Sequence, residues 1–98
     1  MRIAVIADDL TGALDTGVQF TQWGYTTQLT DKPQNSTAEV TITNTDTRNK
    51  TPQEAYETTY NLAKQLTHTI IYKKIDSTLR GNPGPETQAI LDATGETT

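Results

Sequence analysis

Apolar and polar positions along this chain alternate between two periods. Residues 3–7 (IAVIA) run apolar without a break and end at Asp8-Asp9, the pattern of a parallel strand buried on both faces that surfaces at its carboxyl end. Leu10, Ala13, Leu14, Gly17, Val18 and Phe20-Thr21 then recur at helical spacing, and Gly24 stands where a C′ glycine stops a helix. Residues 25–30, rich in Tyr and Thr, and residues 38–43 (AEVTIT), with Val40 and Ile42 in period two, predict two short strands joined by the loop DKPQNST. Thr51-Pro52-Gln53-Glu54 supplies an N-cap hydroxyl, a proline suited to the first helical position and the glutamate of a capping box. A helix is expected there, with Ala55, Tyr56, Thr59, Leu62, Ala63 and Leu66 as its apolar stripe. Residues 68–72 (HTIIY) predict a fourth strand. Ala89, Ile90, Leu91 and Ala93 predict a third helix, opening at Pro83 or Pro85 behind Asn82 as N-cap.

The order βαββαβα predicts an α/β fold: an open, mostly parallel sheet with flanking helices in three layers and right-handed crossovers. Such sheets bind ligands beyond the carboxyl ends of their strands. That rule brings Asp8-Asp9, the loop of residues 45–50 and the stretch KKIDSTLRGNPG (residues 73–84) to one edge. Composition makes the core thin. The chain has 98 residues and is 33% hydrophobic, and its 6 Gly do not lift it to the roughly 45–50% usual on a count that includes glycine. It reads as a marginal domain or as part of a larger one. With 12 acidic against 8 basic residues and a formal charge of −4, neither nucleic acid nor an anionic membrane is an expected partner. The absence of cysteine excludes a disulfide, a thiolate nucleophile and a zinc–thiolate site, and fits a reducing cytosol. The start of the chain lacks a long apolar h-region, so no signal peptide is expected. Every apolar run is too short to span a bilayer.

Two adjacent carboxylates at a strand end repel each other unless they are hydrogen-bonded, paired with cations or placed on a metal. One of Asp8 and Asp9 can cap the following helix, and either can accept hydrogen bonds from neighbouring hydroxyls. Arg48 alone is an ordinary surface cation, but in one cleft with Asp8 and Arg80 its guanidinium suits a carboxylate ligand. Lys73 and Lys74 leave their strand on opposite faces, so one is expected in the cleft and the other in solvent. Asp76 can hold a cation in place, while Ser77, Thr78, Arg80 and the amides near Gly81 offer donors to an anion. On spacing alone, a polar strand-to-helix loop with an Asn cap explains the same residues slightly better. No G-x-x-x-x-G-K-[ST] or G-x-G-x-x-G motif supports nucleotide binding, and His68 and Trp23 read as structural. No ligand set for a transition metal exists, which leaves only weak Mg²⁺ binding by carboxylates open.

Taken together, VIADDLTGALDTGVQF, TDTR and YKKIDSTLRGNPGPE resemble the N-terminal domain of the four-carbon acid sugar kinase family, three motifs in order across nearly the whole chain. The resemblance implies ATP-dependent phosphorylation of threonate, erythronate or their oxo forms by cytoplasmic bacterial enzymes. In that family an N-terminal α/β domain holds the acid sugar and a separate C-terminal domain holds the nucleotide. Residues 1–98 are then expected to be the N-terminal part of the sugar-acid domain, an incomplete domain without the nucleotide-binding part. ATP and Mg²⁺ are expected to bind mostly outside this chain, which alone is expected to be inactive. Asp8 and Asp9 match the family's acidic pair, Arg48 its middle arginine, and Lys74, Asp76, Ser77, Arg80 and Asn82 its long motif; all are expected substrate-binding residues. Chemistry suggests Arg48 and Arg80 for the substrate carboxylate, Asp8 or Asp9 for its hydroxyls, and Lys74 for the charge developing in phosphoryl transfer. Two other readings stay open: a non-catalytic sugar-acid binding module, and a receiver-like domain accepting phosphate on Asp46, which leaves DSTLRGN unexplained. A haloacid-dehalogenase-type phosphatase would need Asp-x-Asp where this chain has adjacent aspartates.

Overall fold

The structure, a computed structural model, describes residues 2–33, 36–66, 70–76 and 78–95. Its elements run β1 (Ile3–Ala7), α1 (Leu10–Gln22), β2 (Thr27–Leu29), β3 (Val40–Asn44), α2 (Pro52–Lys64), β4 (Ile70–Lys73) and α3 (Pro83–Thr94). The four strands form one sheet in the order β2-β3-β1-β4, and every pairing is parallel.

The apolar run of β1 is explained by its position. It is paired on both edges, to β3 with Val5 opposite Ile42 and to β4 with Ala4 opposite Ile71, and both of its faces are covered. Val5 and Ala7 pack with Ala13 and Phe20 of α1 and with Val40 and Ile42. Ala4 and Ile6 point the other way, to Leu62, Leu66, Ile71 and Ile90. Successive residues of one strand thus serve two cores, and the layers are α1, sheet, then α2 with α3. Gly17 lets α1 approach this closely, because a methyl there would stand 2.9 Å from Ile42 Cδ1.

The connections define where a ligand can sit. From β1 the chain passes through α1 to β2, beyond β3; from β3 it passes through α2 to β4, beyond β1. The two crossovers run in opposite directions along the sheet, and right-handed connections then place α1 and α2 on opposite faces. Adjacent strands whose following chains part to opposite faces mark a topological switch point, the crevice where open α/β sheets bind ligands. Here the switch point lies beyond the carboxyl ends of β1 and β3. The order also differs from the 2-1-3-4-5 of flavodoxin-like receivers, since β3 intervenes between β1 and β2.

Element types agree with the sequence pattern, and the differences have local causes. The strand expected over residues 25–30 shortens to Thr27–Leu29, because Thr26 pairs with Glu39 through its amide and hydroxyl and Thr27 Oγ1 turns back to Tyr25 O. β4 is described from Ile70; His68, expected at its start, lies outside the described residues. Gly24 follows the α1 C-cap at φ +92° as expected. Among the described residues no helix is long and apolar enough to cross a membrane.

Candidate functional site

At the switch point the loop after β3 is clasped to the end of β1 by its own backbone. Thr45 N donates to Ala7 O at 2.8 Å, and Thr47 N and Arg48 N both donate to Asp8 O, at 3.1 and 3.2 Å. Asp46 makes the turn with φ +55°, its amide taken by Asn44 Oδ1 at 2.9 Å. Arg48 is thereby aimed at three carboxylates. Its Nη2 lies 3.2 Å from Asp8 Oδ1 and 3.4 Å from Asp76 Oδ1, and its Nη1 lies 3.0 Å from Asp9 Oδ2. With the arginine side chain 18% exposed, this pairing relieves the repulsion that the sequence posed for Asp8-Asp9. Arg48 Nε is buried and has no hydrogen-bond partner among the described residues. Asp9 also takes the structural role foreseen for one of the pair, its Oδ1 accepting from Gly12 N at 2.9 Å as the α1 cap.

Asp76, only 8% exposed, gathers the chain after β4 around itself. Its Oδ2 accepts from Thr78 N at 2.9 Å, Arg80 N at 3.2 Å, Arg80 Nε at 3.1 Å and the Thr78 hydroxyl, and its Oδ1 accepts from Arg80 Nη2 at 2.8 Å. The Arg80 guanidinium first, then Thr78, hold this carboxyl well below the ordinary carboxylate range, and Asp76 in turn raises Arg80. The Arg80 side chain is nonetheless 66% exposed. It is the cation of this group that an incoming anion can reach. Leu79, exposed, takes φ +59°, a left-handed conformation costly for a side chain of its kind. Gly81 at φ +89° has no room for a side chain, since a methyl would collide with Asp8 Oδ2.

The two lysines leave β4 on opposite faces as parity requires, but neither is free in solvent, a correction to the expectation. Lys74 lies over the start of α1, its Cγ 3.5 Å from where a Cβ of Gly12 would be. Lys73 turns to the α3 side, 10% exposed, with Nζ 3.2 Å from Glu86 Oε1 and 2.8 Å from Lys74 O. Glu86 is fully buried in the first turn of α3, and its Oε2 accepts from Thr47 Oγ1 at 2.9 Å. Thr47 Oγ1 is 2.7 Å from Thr45 Oγ1, which donates to Ala7 O at 3.1 Å. Asn82 occupies the N-cap position but makes no side-chain cap bond. A cap accepts from the second or third helical amide, and here the third residue, Pro85, has none. Asn82 Nδ2 instead donates to Thr47 O at 3.2 Å and Lys50 O at 2.9 Å, fastening the Arg48 loop. Ser77 lies outside the described residues.

Of the eight residues singled out from the sequence, Asp8, Asp9, Arg48, Asp76 and Arg80 are linked by direct ion pairs. Lys74 and Asn82 flank them. Thr47 and Glu86 were not among the eight, and Lys73 was foreseen only as one of two lysines parting to opposite faces. The strand parity that sends Lys73 away from Lys74 was its only signal, and Glu86 carried none apart from falling within the long motif. The group combines carboxylate oxygens, which accept from hydroxyls, with exposed cationic donors, which bind an anion; a small hydroxy acid presents both. Arg48 is engaged by three carboxylates, whereas Arg80, among the described residues, is engaged by Asp76 alone and its side chain stays 66% exposed.

The fold is thus an open, wholly parallel α/β sheet with an acid-and-arginine cluster at its switch point. Residues 3–98 match the family described as sugar-binding N-terminal domain, and the chain belongs to that family. It is 41% identical to the D-erythronate kinase of Heliobacterium modesticaldum, the match covering 96% of this chain and 24% of that enzyme. It is 39% identical to the D-threonate kinase of Salmonella typhimurium, covering 95% and 24%, and 33% identical to the 3-oxo-tetronate kinase of Actinobacillus succinogenes, covering 98% and 26%. A crystal structure of a domain of unknown function from Bordetella bronchiseptica, a domain-swapped dimer with bound citrate, superposes with a TM-score of 0.87 at 34% identity, over 95% of this chain and 26% of that one. The chain spans about a quarter of the length of the curated relatives it matches.

Proposed function

We propose that this chain is the acid-sugar-binding portion of an ATP-dependent kinase acting on a four-carbon sugar acid of the threonate, erythronate or 3-oxo-tetronate type. The observation that carries the reading is the cluster at the switch point, in which Arg48 joins Asp8, Asp9 and Asp76 while Arg80 stays exposed beside it. The names of the relatives supply the reaction class and the substrates. Citrate bound in the structural neighbour, a hydroxylated polycarboxylate, is chemistry of the same kind. In this reading Arg80 takes the substrate carboxylate, Asp8 and Asp9 orient hydroxyls through their remaining acceptor capacity, and Lys74 stands where transferred charge would develop. Arg48 acts mainly by fixing the carboxylates.

Phosphoryl transfer depends on positioning and charge stabilisation around nucleotide and metal. The carboxylates here are each taken up by a guanidinium, which disfavours a divalent cation among them. ATP and Mg²⁺ belong, in this reading, to polypeptide beyond these residues. The location that goes with it is the cytoplasm.

Calorimetric titration of the chain with D-threonate and D-erythronate tests the binding role. Saturable binding that weakens at least tenfold in Arg80→Met is expected, and heats indistinguishable from dilution at millimolar acid would overturn it. A coupled assay with ATP and the same acids is expected to show no turnover by the chain alone. Binding without turnover is equally what a non-catalytic sugar-acid module gives. Adding the complementary portion of a relative separates the two, since turnover then favours the kinase.

A further inference from the structure

A fully buried charged side chain that touches no solvent and no site residue directly calls for an explanation. Glu86 is one: it is 0% exposed and is held between Lys73 Nζ, 3.2 Å from Oε1, and Thr47 Oγ1, 2.9 Å from Oε2. Ion pairs at such depth are weak sources of stability, because desolvating both charges offsets most of their attraction. What this pair does have is position. Lys73 ends β4, Glu86 opens α3, Thr47 lies in the loop after β3, and the chain of hydroxyls continues through Thr45 to Ala7 O at the end of β1. Four elements meet there, directly beneath the residue that precedes Arg48.

Thr47 is 1% exposed, and each of its polar groups is committed: the amide to Asp8 O at 3.1 Å, the carbonyl to Asn82 Nδ2 at 3.2 Å, the hydroxyl to Glu86. With Thr47 fixed, Arg48 N is brought to Asp8 O, and its side chain is set among Asp8, Asp9 and Asp76. Among the described residues, this hydroxyl bond ties that loop to α3 through a side chain with no exposure. We infer that Glu86 is a positioning residue for the site: a buried acceptor that sets the Arg48 loop through Thr47, with Lys73 present to balance its charge. This deepens the sugar-acid reading and rests on it only for the ligand.

The inference separates acceptor from charge, so the variants do the same. In Lys73→Met/Glu86→Gln the ion pair is gone but a carbonyl remains for Thr47; in Lys73→Met/Glu86→Leu both are gone, and no charge is left buried in either. Amide exchange followed by NMR on the folded chain is the first readout. Thr47 and Arg48 amides are expected to exchange at least tenfold faster in the Leu variant and within threefold of wild type in the Gln variant, with the amides of Ala4 to Ile6 slow in both. Titration with D-threonate and D-erythronate is the second, with at least tenfold weaker binding in the Leu variant and rescue by Gln. Thr47→Val, which removes the hydroxyl alone, is expected to follow the Leu variant. Unchanged Thr47 and Arg48 exchange in a folded Leu variant would overturn the inference, and so would equal loss in the Gln and Leu variants, which would make the charge the active feature. If wild type binds neither acid, the ligand reading fails while the exchange comparison still decides the role of Glu86.

Discussion

Gly81 and Asp76 show how much of the site is backbone geometry rather than side-chain chemistry. At φ +89°, with Asp8 Oδ2 against the missing Cβ, Gly81 meets both a torsional and a steric demand that other residues fail. Gly81→Ala is expected to destabilise the chain by about 1–3 kcal/mol, read as a lower urea midpoint at unchanged slope, and to displace Asp8 from Arg48. Asp76 gives a pH dependence with a definite sign. Its folded-state affinity for a proton is depressed, chiefly by Arg80 and then Thr78, so its contribution is complete above the ordinary aspartate value of about 3.9 and is lost as pH falls below that toward its lower folded value. A carboxyl NMR titration is expected to place Asp76 below the ordinary aspartate value in the native chain and to move it up toward that value in Arg80→Met; an unmoved midpoint would assign the depression to other donors. The cluster residues were legible in the sequence because unusual polar runs stood at strand ends. Glu86 was not, because its partners Lys73 and Thr47 become neighbours only when strand parity and the phase of α3 are both known.

Helices announce themselves in the sequence through their ends, and α2 does so best. The capping box is present in both directions, Thr51 Oγ1 accepting from Glu54 N at 3.2 Å and Glu54 Oε1 from Thr51 N at 3.2 Å. Thr51→Ala is expected to cost about 1 kcal/mol, a lower thermal midpoint with site ion pairs intact, since the cap is exposed and away from them. The α3 terminus shows the limit of reading caps by residue type. Asn82 stood in the right place, yet proline at the third helical position removed an amide it would have bonded, and its side chain went to the Arg48 loop instead. Strand ends were less legible than helix ends. β2 keeps three residues at the sheet edge, where side chains of Thr26 and Glu39 compete with the ladder, and no pattern of hydrophobicity records that competition.

At the level of the molecule, the sequence supports the layer type but not the order of strands. Buried runs and amphipathic helices specify an α/β sheet; that β3 rather than β2 lies beside β1 follows from packing that only the folded chain shows. The switch point is a product of that order, so the shared sheet edge was legible and the switch point was not. Asp8, Arg48 and Asp76 come from loops far apart in the chain, so their ion pairs are long-range contacts, whose loop-closure cost is met before they contribute. Arg48→Met is therefore expected to raise the unfolding rate while leaving the folding rate within about twofold, and a slowed folding limb in a denaturant chevron would place the cluster in the nucleus instead. The central place of β1 carries a consequence for biosynthesis. β1 needs a partner on each side, and the later of the two to be made, β4, ends at Lys73. At elongation rates of about 5–20 residues per second, the stretch from Ala7 to Lys73 takes roughly 3–13 seconds to add, so β1 cannot be paired on both edges until that time has passed.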